Sequence, residues 1–317
     1  MRLALAGDTM LGRKVGDALA AVPASSLVAP EVVELTREAD LFVLNLECCV
    51  SARGAPVRLP GKPFFFRAPP AATDLLALLG VDCVTLANNH ALDFGAEALT
   101  DTLDHLAAAG IAAVGAGADV AAARRPAVLR AAGMRLAVVG VTDHPEEFAA
   151  GPGRPGVAFA DLGGGPPAWL EQAIGSADAD AVLVTPHWGP NLTSGPLPYV
   201  RRAAGALVER GATLVAGHSA HVFHGVAGPV LYDLGDFLDD YAVDPALRND
   251  LGLLFLVTMD EHGPSRLEAV PLALDYCRTR LADGAGAAWV RRRFRAACAA
   301  FGTDVEEHAG RLVVRFR

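Results

Sequence analysis

The segment from Gly217 to Gly225 reads GHSAHVFHG and places His218, His221 and His224 at intervals of three residues. Elsewhere the chain carries Asp8 in AGDTMLGR, Glu47 in LNLECC, and Asn88, Asn89, His90 and Asp93 in LANNHALDFG, while VTPHWG adds His187. Two carboxylates, a carboxamide and several imidazoles make a mixed oxygen and nitrogen donor set. Such a set suits zinc, manganese or iron better than a calcium cage or a thiolate site. The chemistry open to it is metal-assisted attack by water.

Each residue also has a plain structural use. Asp8 would serve as the N-cap of a helix over MLGRKVGDALA, accepting hydrogen bonds from otherwise unpaired backbone N–H groups. NNHALDFG reads equally as a polar turn into a helix, with Asp93 favoured near the N-terminus by the helix dipole. His187, next to Trp188, fits a hydrogen-bonded core histidine. Glu47 is harder to account for, because an unpaired carboxylate at the end of a buried strand is costly. What joins these residues is their position just after strands.

Those strands are short β-branched or Leu-rich runs: RLALAG, LFVLNLE, CVTLANN, RLAVVGV, AVLVTPHW, TLVAGH, PVLYDLGD and LLFLVTM. Helical patterns lie between several of them, in PAATDLLALLG, GAEALTDTLDHLAAAG and PYVRRAAGALVERG, the last two stopped by Gly110 and Gly211. The alternation predicts an α/β fold, in which ligand sites assemble at the C-terminal ends of the strands. The spacing of three from His218 predicts a turn or short helix that aims His218 and His221 alike, with His224 in a supporting place. Near the C-terminus the pattern is a helix carrying Arg291, Arg292, Arg293 and Arg295, read as a solvated face, followed by a hairpin.

At 317 residues and 52% hydrophobic composition, the chain can bury one large core or two small ones. With 27 basic against 36 acidic residues the net charge is -9, which argues against nucleic acid and for a small substrate. Five cysteines without a C-x-x-C spacing give no disulfide framework and imply a reducing compartment. The N-terminal apolar run of about five residues is shorter than the ~7 to 15 of a signal peptide, and no run approaches the ~18 of a spanning helix. A soluble, cytoplasmic protein without a membrane span is therefore expected. The oligomeric state is not legible.

In order along the chain, GDTMLGR, NLE, NNHALDFG, HWG, GHSAHVFHG and YDLGDFLDDY together resemble the CapA family of bacterial poly-γ-glutamate capsule synthesis proteins, similar in fold to the calcineurin-like metallophosphatases. The match runs from Gly7 to about Leu254. The resemblance implies an α/β, four-layer αββα sandwich over residues 1–275, with residues 276–317 as a helix and hairpin extension packed on the same domain. It also implies one or two divalent ions, manganese, zinc or iron, held by Asp8, Glu47, Asn89, His187, His218 and His221. His90 falls at the place of the catalytic histidine, the general acid, with Asp93 orienting it.

Three departures bear on the metal number. The D-x-H of the wider superfamily reads Asp8, Thr9, Met10; Asn191 stands where many relatives have glutamate; and the histidine pair is G-H-x-x-H. Relatives in capsule assembly often have an N-terminal anchor, and the strand-like start here lowers the expectation of a capsule role. Candidates for binding an anionic substrate group are Arg13, Arg67, His144 and Arg248, since arginine's planar fork suits carboxylate or phosphate. Asp236 and His224 are expected to support the ligands from behind. The expected function is a metal-dependent hydrolase acting on a phosphoester or a γ-glutamyl amide. Two alternatives stay open: a metal-dependent bond-forming or cyclising enzyme, and a non-catalytic accessory protein of poly-γ-glutamate synthesis.

Overall fold

The computed structural model describes residues 1–316. Its first strand, Arg2–Thr9, is buried along almost its whole length because both of its faces are covered. Alternate side chains go to different cores. Leu3 and Leu5 enter a core between two sheets, while Ala4 and Ala6 enter one beneath helices. The next strand, Leu41–Leu46, repeats the division, with Leu41 and Val43 on the inner face and Phe42 and Leu44 on the outer. In the second sheet Met134–Thr142 does the same, Leu136 and Val138 facing inward and Ala137 and Val139 outward.

Among the described residues the larger sheet has ten strands. Arg2–Thr9 pairs in parallel with Leu41–Leu46, and the parallel series continues through Cys83–Thr85 to Ala112–Val114. On its other side lie, antiparallel in turn, Leu251–Asp260, Gly263–Asp275, Arg311–Arg315 and Glu306–His308. The second sheet has six strands, with a parallel core of Met134–Thr142, Ala181–His187, Leu214–Ala216 and Val230–Leu231. Helices Arg13–Ala21, Pro30–Thr36, Ala72–Leu79 and Gly95–Ala108 cover the outer face of the large sheet, and Ala168–Gly175 and Pro198–Glu209 that of the small one. This is the four-layer αββα sandwich that the resemblance implies.

The C-terminal helix, Gly284–Ala299, sends Val290, Phe294 and Cys298 into the core between the sheets. Its basic residues are not simply a solvated face. Arg293 lies over the Phe223 and Trp289 rings, and Arg291 and Arg295 pair with Glu307. All five cysteines are free thiols. Among the described residues no helix is long and apolar enough to cross a membrane.

Parallel strands joined by crossovers must end on the same side. The C-terminal ends of Arg2–Thr9, Leu41–Leu46 and Cys83–Thr85 therefore collect along one edge of the large sheet, facing those of Met134–Thr142, Ala181–His187 and Leu214–Ala216. Two local readings are decided here. The helix after Asp8 begins at Arg13 with Gly12 as its N-cap, so Asp8 does not cap it. Of the turn or short helix expected after His218 the chain takes the turn, through positive φ angles of 108° at Ser219 and 58° at His221. The two imidazoles approach from one tight loop rather than from one helix face.

Candidate metal centre

Asp8 stands where the first strand meets the segment around Gly235. A Cβ on Gly7 would lie 1.8 Å from the Gly235 carbonyl oxygen, so only glycine lets the Asp8 N–H donate to that carbonyl at 2.8 Å. Both carboxylate oxygens of Asp8 are then used: Oδ1 accepts from Asn45 Nδ2 at 2.7 Å, and Oδ2 from the Ser219 N–H at 3.3 Å. Glu47, one residue beyond the second strand, is divided. Its Oε2 accepts from Tyr241 Oη at 2.8 Å, whereas Oε1 lies 3.9 Å from His187 Nε2. His218 reaches in from the small sheet with Nδ1 3.6 Å from Asp8 Oδ1 and Nε2 2.8 Å from Thr185 Oγ1. His221 Nδ1 sits among carboxylates, 2.8 Å from Asp236 Oδ1, 3.3 Å from Asp8 Oδ2 and 4.0 Å from Glu47 Oε2.

The turn after the third strand supplies a second cluster. Asn88 Nδ2 donates to Asn45 Oδ1 and the Leu46 carbonyl, and Asn88 Oδ1 accepts from the His90 N–H, which locks the turn against the second strand. His90 Nδ1 lies 2.6 Å from Asp93 Oδ2, an oxygen that also accepts from the Phe66 N–H at 2.6 Å. Lys62 Nζ completes the group, 2.9 Å from Asp93 Oδ1 and 2.7 Å from the Asn89 carbonyl. The Phe66 ring stacks on His90 at 3.9 Å between centroids.

Among the described residues, buried atoms without a hydrogen-bond partner in this region include Glu47 Oε1, Asn89 Oδ1, His187 Nε2, His218 Nδ1 and Asp236 Oδ2. Leaving such atoms unpaired costs about 1–3 kcal/mol each, and Glu47 Oε1 and His187 Nε2 lie 3.9 Å apart, a pairing that points to a ligand. Two imidazole nitrogens, a carboxylate and a carboxamide fit a divalent ion of the zinc, manganese or iron type. Asp8 with Glu47 and His187, and Asp8 with His221 and Asp236, also place their donor atoms within 4.8 Å of one another.

Electrostatics splits the histidines. Burial drives His187 well below the ordinary imidazole value and His218 down to about 4, which keeps both rings neutral and fit to coordinate. His221 goes the other way: burial opposes its charge, but Asp236, Glu47 and Asp8 together carry it well above the ordinary value. Burial and the neighbouring Asp8 charge push Glu47 up to about 8, while His221, His187 and His218 hold Asp8 low in spite of its burial. His90 is held down to about 4 by burial, against the pull of Asp93. A proton that His90 gives as an acid must therefore first be taken up, and Asp93 favours the ring that has done so.

Residues 2–241 match the family described as bacterial capsule synthesis protein PGA_cap. The chain belongs to this capsule synthesis family. It is 33% identical over 288 residues to a probable polyglutamine synthesis accessory protein of Mycobacterium tuberculosis, covering 84% of this chain and 74% of the relative. It is 28% identical over 274 residues to the PGA biosynthesis protein CapA of Bacillus subtilis, covering 84% and 70%. Its fold is similar to that of a hypothetical protein from Thermus thermophilus, with a TM-score of 0.53 at 15% identity, over 87% of this chain and all of the other.

In this member of the PGA_cap family the centre opens onto two adjoining recesses that share Asn89, His144 and Asn191. One, of 580 Å³, is lined further by Asp143, Asp161 and Tyr199; the other, of 340 Å³, by Lys62, Phe64 and His90. Of the four residues expected to receive an anion, His144 lies at this mouth, its ring 5.2 Å from that of His187. Arg13 is committed to Asp240 at 2.8 Å and packs over Phe66 and Tyr241. Arg67 donates to the Arg53 and Gly54 carbonyls and lies over Phe94, and Arg248 makes two 2.6 Å bonds to Asp250. These last two are spent on structure rather than turned to the centre. Asp236 does stand beside His221, but His224 points elsewhere, its Nε2 2.8 Å from the Thr193 carbonyl.

Asn45, Lys62, Thr185 and Tyr241 touch the centre or its neighbours and escape a reading of the sequence. Asn45 and Thr185 are polar residues inside otherwise apolar strands, LFVLNLE and AVLVTPHW. That cost of burying a polar group is the signal by which they could be found. Lys62 and Tyr241 lie in loops and carry no such signal.

Proposed function

We propose that this chain is a divalent-metal-dependent hydrolase whose substrate is a phosphoester or a γ-glutamyl amide. The observation that carries this reading is the presence of unpartnered buried donors, Glu47 Oε1, Asn89 Oδ1, His187 Nε2 and His218 Nδ1 among them, next to a buried His90–Asp93 pair at the floor of an open cleft. Asp8, Glu47, Asn89, His187, His218 and His221 would hold one or two ions. A bound divalent ion supplies Lewis-acid charge at the attacked centre and lowers the pKa of water.

The protein's own groups do the rest. His90, anchored through Nδ1 by Asp93, moves a proton at Nε2 between the attacking water and the leaving group, and Asp93 stabilises the charged ring in between. Lys62 holds both the Asn89 carbonyl and Asp93, so the ligand and the proton carrier move as one piece. Phe66 against the ring keeps it from turning and excludes water from one side.

A test is direct. Protein purified without chelators, stripped with EDTA and reloaded with manganese or zinc, is assayed on a panel of aryl phosphoesters and γ-glutamyl anilides. Turnover that disappears on stripping and returns on reloading supports the hydrolase. A second reading, an accessory protein without turnover, is favoured by the similarity to the mycobacterial accessory protein. Metal bound, with no turnover of any compound and full function of a His90→Ala variant in its own pathway, would decide for that reading.

A further inference from the structure

We propose that the 580 Å³ recess beside the centre binds the part of the substrate that stays on the attacked atom, and that His144, held by Asp143, selects there a group that donates hydrogen bonds, an ammonium or a hydroxyl, over a carboxylate or phosphate. The inference rests on the hydrolase reading above and deepens it by naming the class of substrate.

The leaving group must lie within reach of His90, which lines the smaller recess and not the larger one. The larger recess is therefore left for the rest of the substrate. His144 stands where the two meet, its ring 5.2 Å from that of His187. A chain of bonds holds that ring. Asp143 Oδ1 lies 2.5 Å from His144 Nδ1, and Asp143 Oδ2 accepts from Tyr199 Oη at 2.7 Å and from the Gly189 N–H at 3.2 Å. The Asp143 N–H donates to the His187 carbonyl and Thr142 Oγ1 to the His144 carbonyl, so the pair is fixed to the ends of the strands Met134–Thr142 and Ala181–His187.

A carboxylate accepts and does not donate, so the Nδ1 beside it carries the ring proton and Nε2 presents a lone pair. Among the described residues Nε2 has no hydrogen-bond partner, and the side chain is partly exposed at the mouth. The surrounding groups fit the same kind of ligand. Asp161 lines the recess with an exposed carboxylate whose Oδ1 accepts from the Gly163 N–H at 2.9 Å, which leaves Oδ2 open, and among the described residues no lysine or arginine lines this recess. Lys62 lines the smaller recess, where its Nζ is engaged by the Asn89 carbonyl and Asp93. An anionic group in the larger recess would face Asp143 and Asp161 with no lysine or arginine to balance it. An ammonium or hydroxyl would meet two acceptors, His144 Nε2 and Asp161 Oδ2.

The experiment compares matched substrates that differ only at the far end of the retained part. γ-Aminobutyryl and glutaryl p-nitroanilides form one pair, and the aminoethyl and carboxyethyl esters of p-nitrophenyl phosphate form another, all assayed with manganese-loaded protein. Within each pair water releases the same p-nitroaniline or p-nitrophenol, so a difference reports the retained part alone. The expected result is a kcat/KM roughly 10- to 100-fold higher for the ammonium member, the range of one hydrogen bond to a charged group. His144→Ala and Asp161→Lys should each shrink that ratio, with folding checked by circular dichroism and metal by elemental analysis. A purely structural loss would lower both members alike. Asp161 is exposed, so its variant guards against failure of the His144 variant to fold. Equal kcat/KM for the two members, a preference for the carboxylate, or an unmoved ratio in folded His144→Ala protein (in Asp161→Lys, should the former not fold) would overturn the inference while leaving a hydrolase. No turnover of any member by metal-loaded protein overturns the hydrolase reading and the inference with it.

Discussion

Tyr241 Oη donates to Glu47 Oε2 at 2.8 Å, and the same carboxylate presents Oε1 toward His187 Nε2, 3.9 Å away. A residue from a loop far along the chain thus sets which oxygen of Glu47 faces the centre. Tyr241→Phe removes the donor and leaves a fully buried oxygen unpaired, at a cost of about 1–3 kcal/mol. Urea unfolding of the metal-free protein should show a loss of that size, and an unchanged midpoint would mean that the bond contributes no stability.

His90→Ala should leave the ion in place while lowering turnover by roughly 10²- to 10⁴-fold, the range for loss of a positioned proton carrier. Elemental analysis and single-substrate kinetics on the same preparation check both halves. Loss of the ion together with activity would reassign His90 as a ligand.

Thr185→Val keeps shape but deletes the oxygen 2.8 Å from His218 Nε2. Freeing a ligand's outer nitrogen typically weakens metal binding by about 10- to 100-fold. Competition for manganese against a fluorescent chelator reads the change, and equal affinity would show that packing alone holds the ring.

His224 gives a pH dependence away from the centre. Burial lowers its folded value to about 4 from 6.5, so between those values the unfolded chain binds a proton that the folded chain does not. The stabilising contribution is complete above about pH 6.5 and falls away as pH drops to about 4, an effect on the order of 3 kcal/mol. His224→Gln preserves a donor toward the Thr193 carbonyl and removes the titration. Denaturation midpoints of metal-free protein at pH 7 and pH 4.5 should lie closer together in the variant than in the parent. An equal spread in both would place the acid sensitivity elsewhere.

Gly7→Ala puts a methyl 1.8 Å from the Gly235 carbonyl oxygen, a backbone atom that cannot step aside. The strand must shift and carry Asp8 with it. Destabilisation at or above the ~1–3 kcal/mol typical of overpacking is expected, read as a lower thermal midpoint. A fully stable variant would show that the contact between the first strand and the Gly235 segment is loose.

Much of the architecture is legible because it is written in local pattern. The strand runs RLALAG, LFVLNLE and AVLVTPHW are too apolar to be covered on one face only, and the stops at Gly110 and Gly211 adopt positive φ of 73° and 105°. That Asp8, Glu47, His187 and His218 lie at strand ends is likewise visible, and parallel strands must then bring them to a common edge. The residue types further restrict the ion to a class.

Which histidines of GHSAHVFHG reach that edge was decided by the fold. Spacing sets His224 apart as a supporting residue, and the turn through Ser219 and His221 sends the other two inward and leaves it on the Thr193 carbonyl, away from the centre. The same holds for Arg67 and Arg248, whose charges look free in sequence and are consumed by carbonyls and by Asp250 in space. Hydrogen-bond partners such as Asn45 for Asp8, Thr185 for His218 and Tyr241 for Glu47 depend on the register and approach of separate strands and loops. Sequence by itself determines the donor types and their order at the strand ends. Tertiary structure decides which donor atoms are already satisfied and which stay free, because satisfaction is a property of pairs brought together from distant parts of the chain.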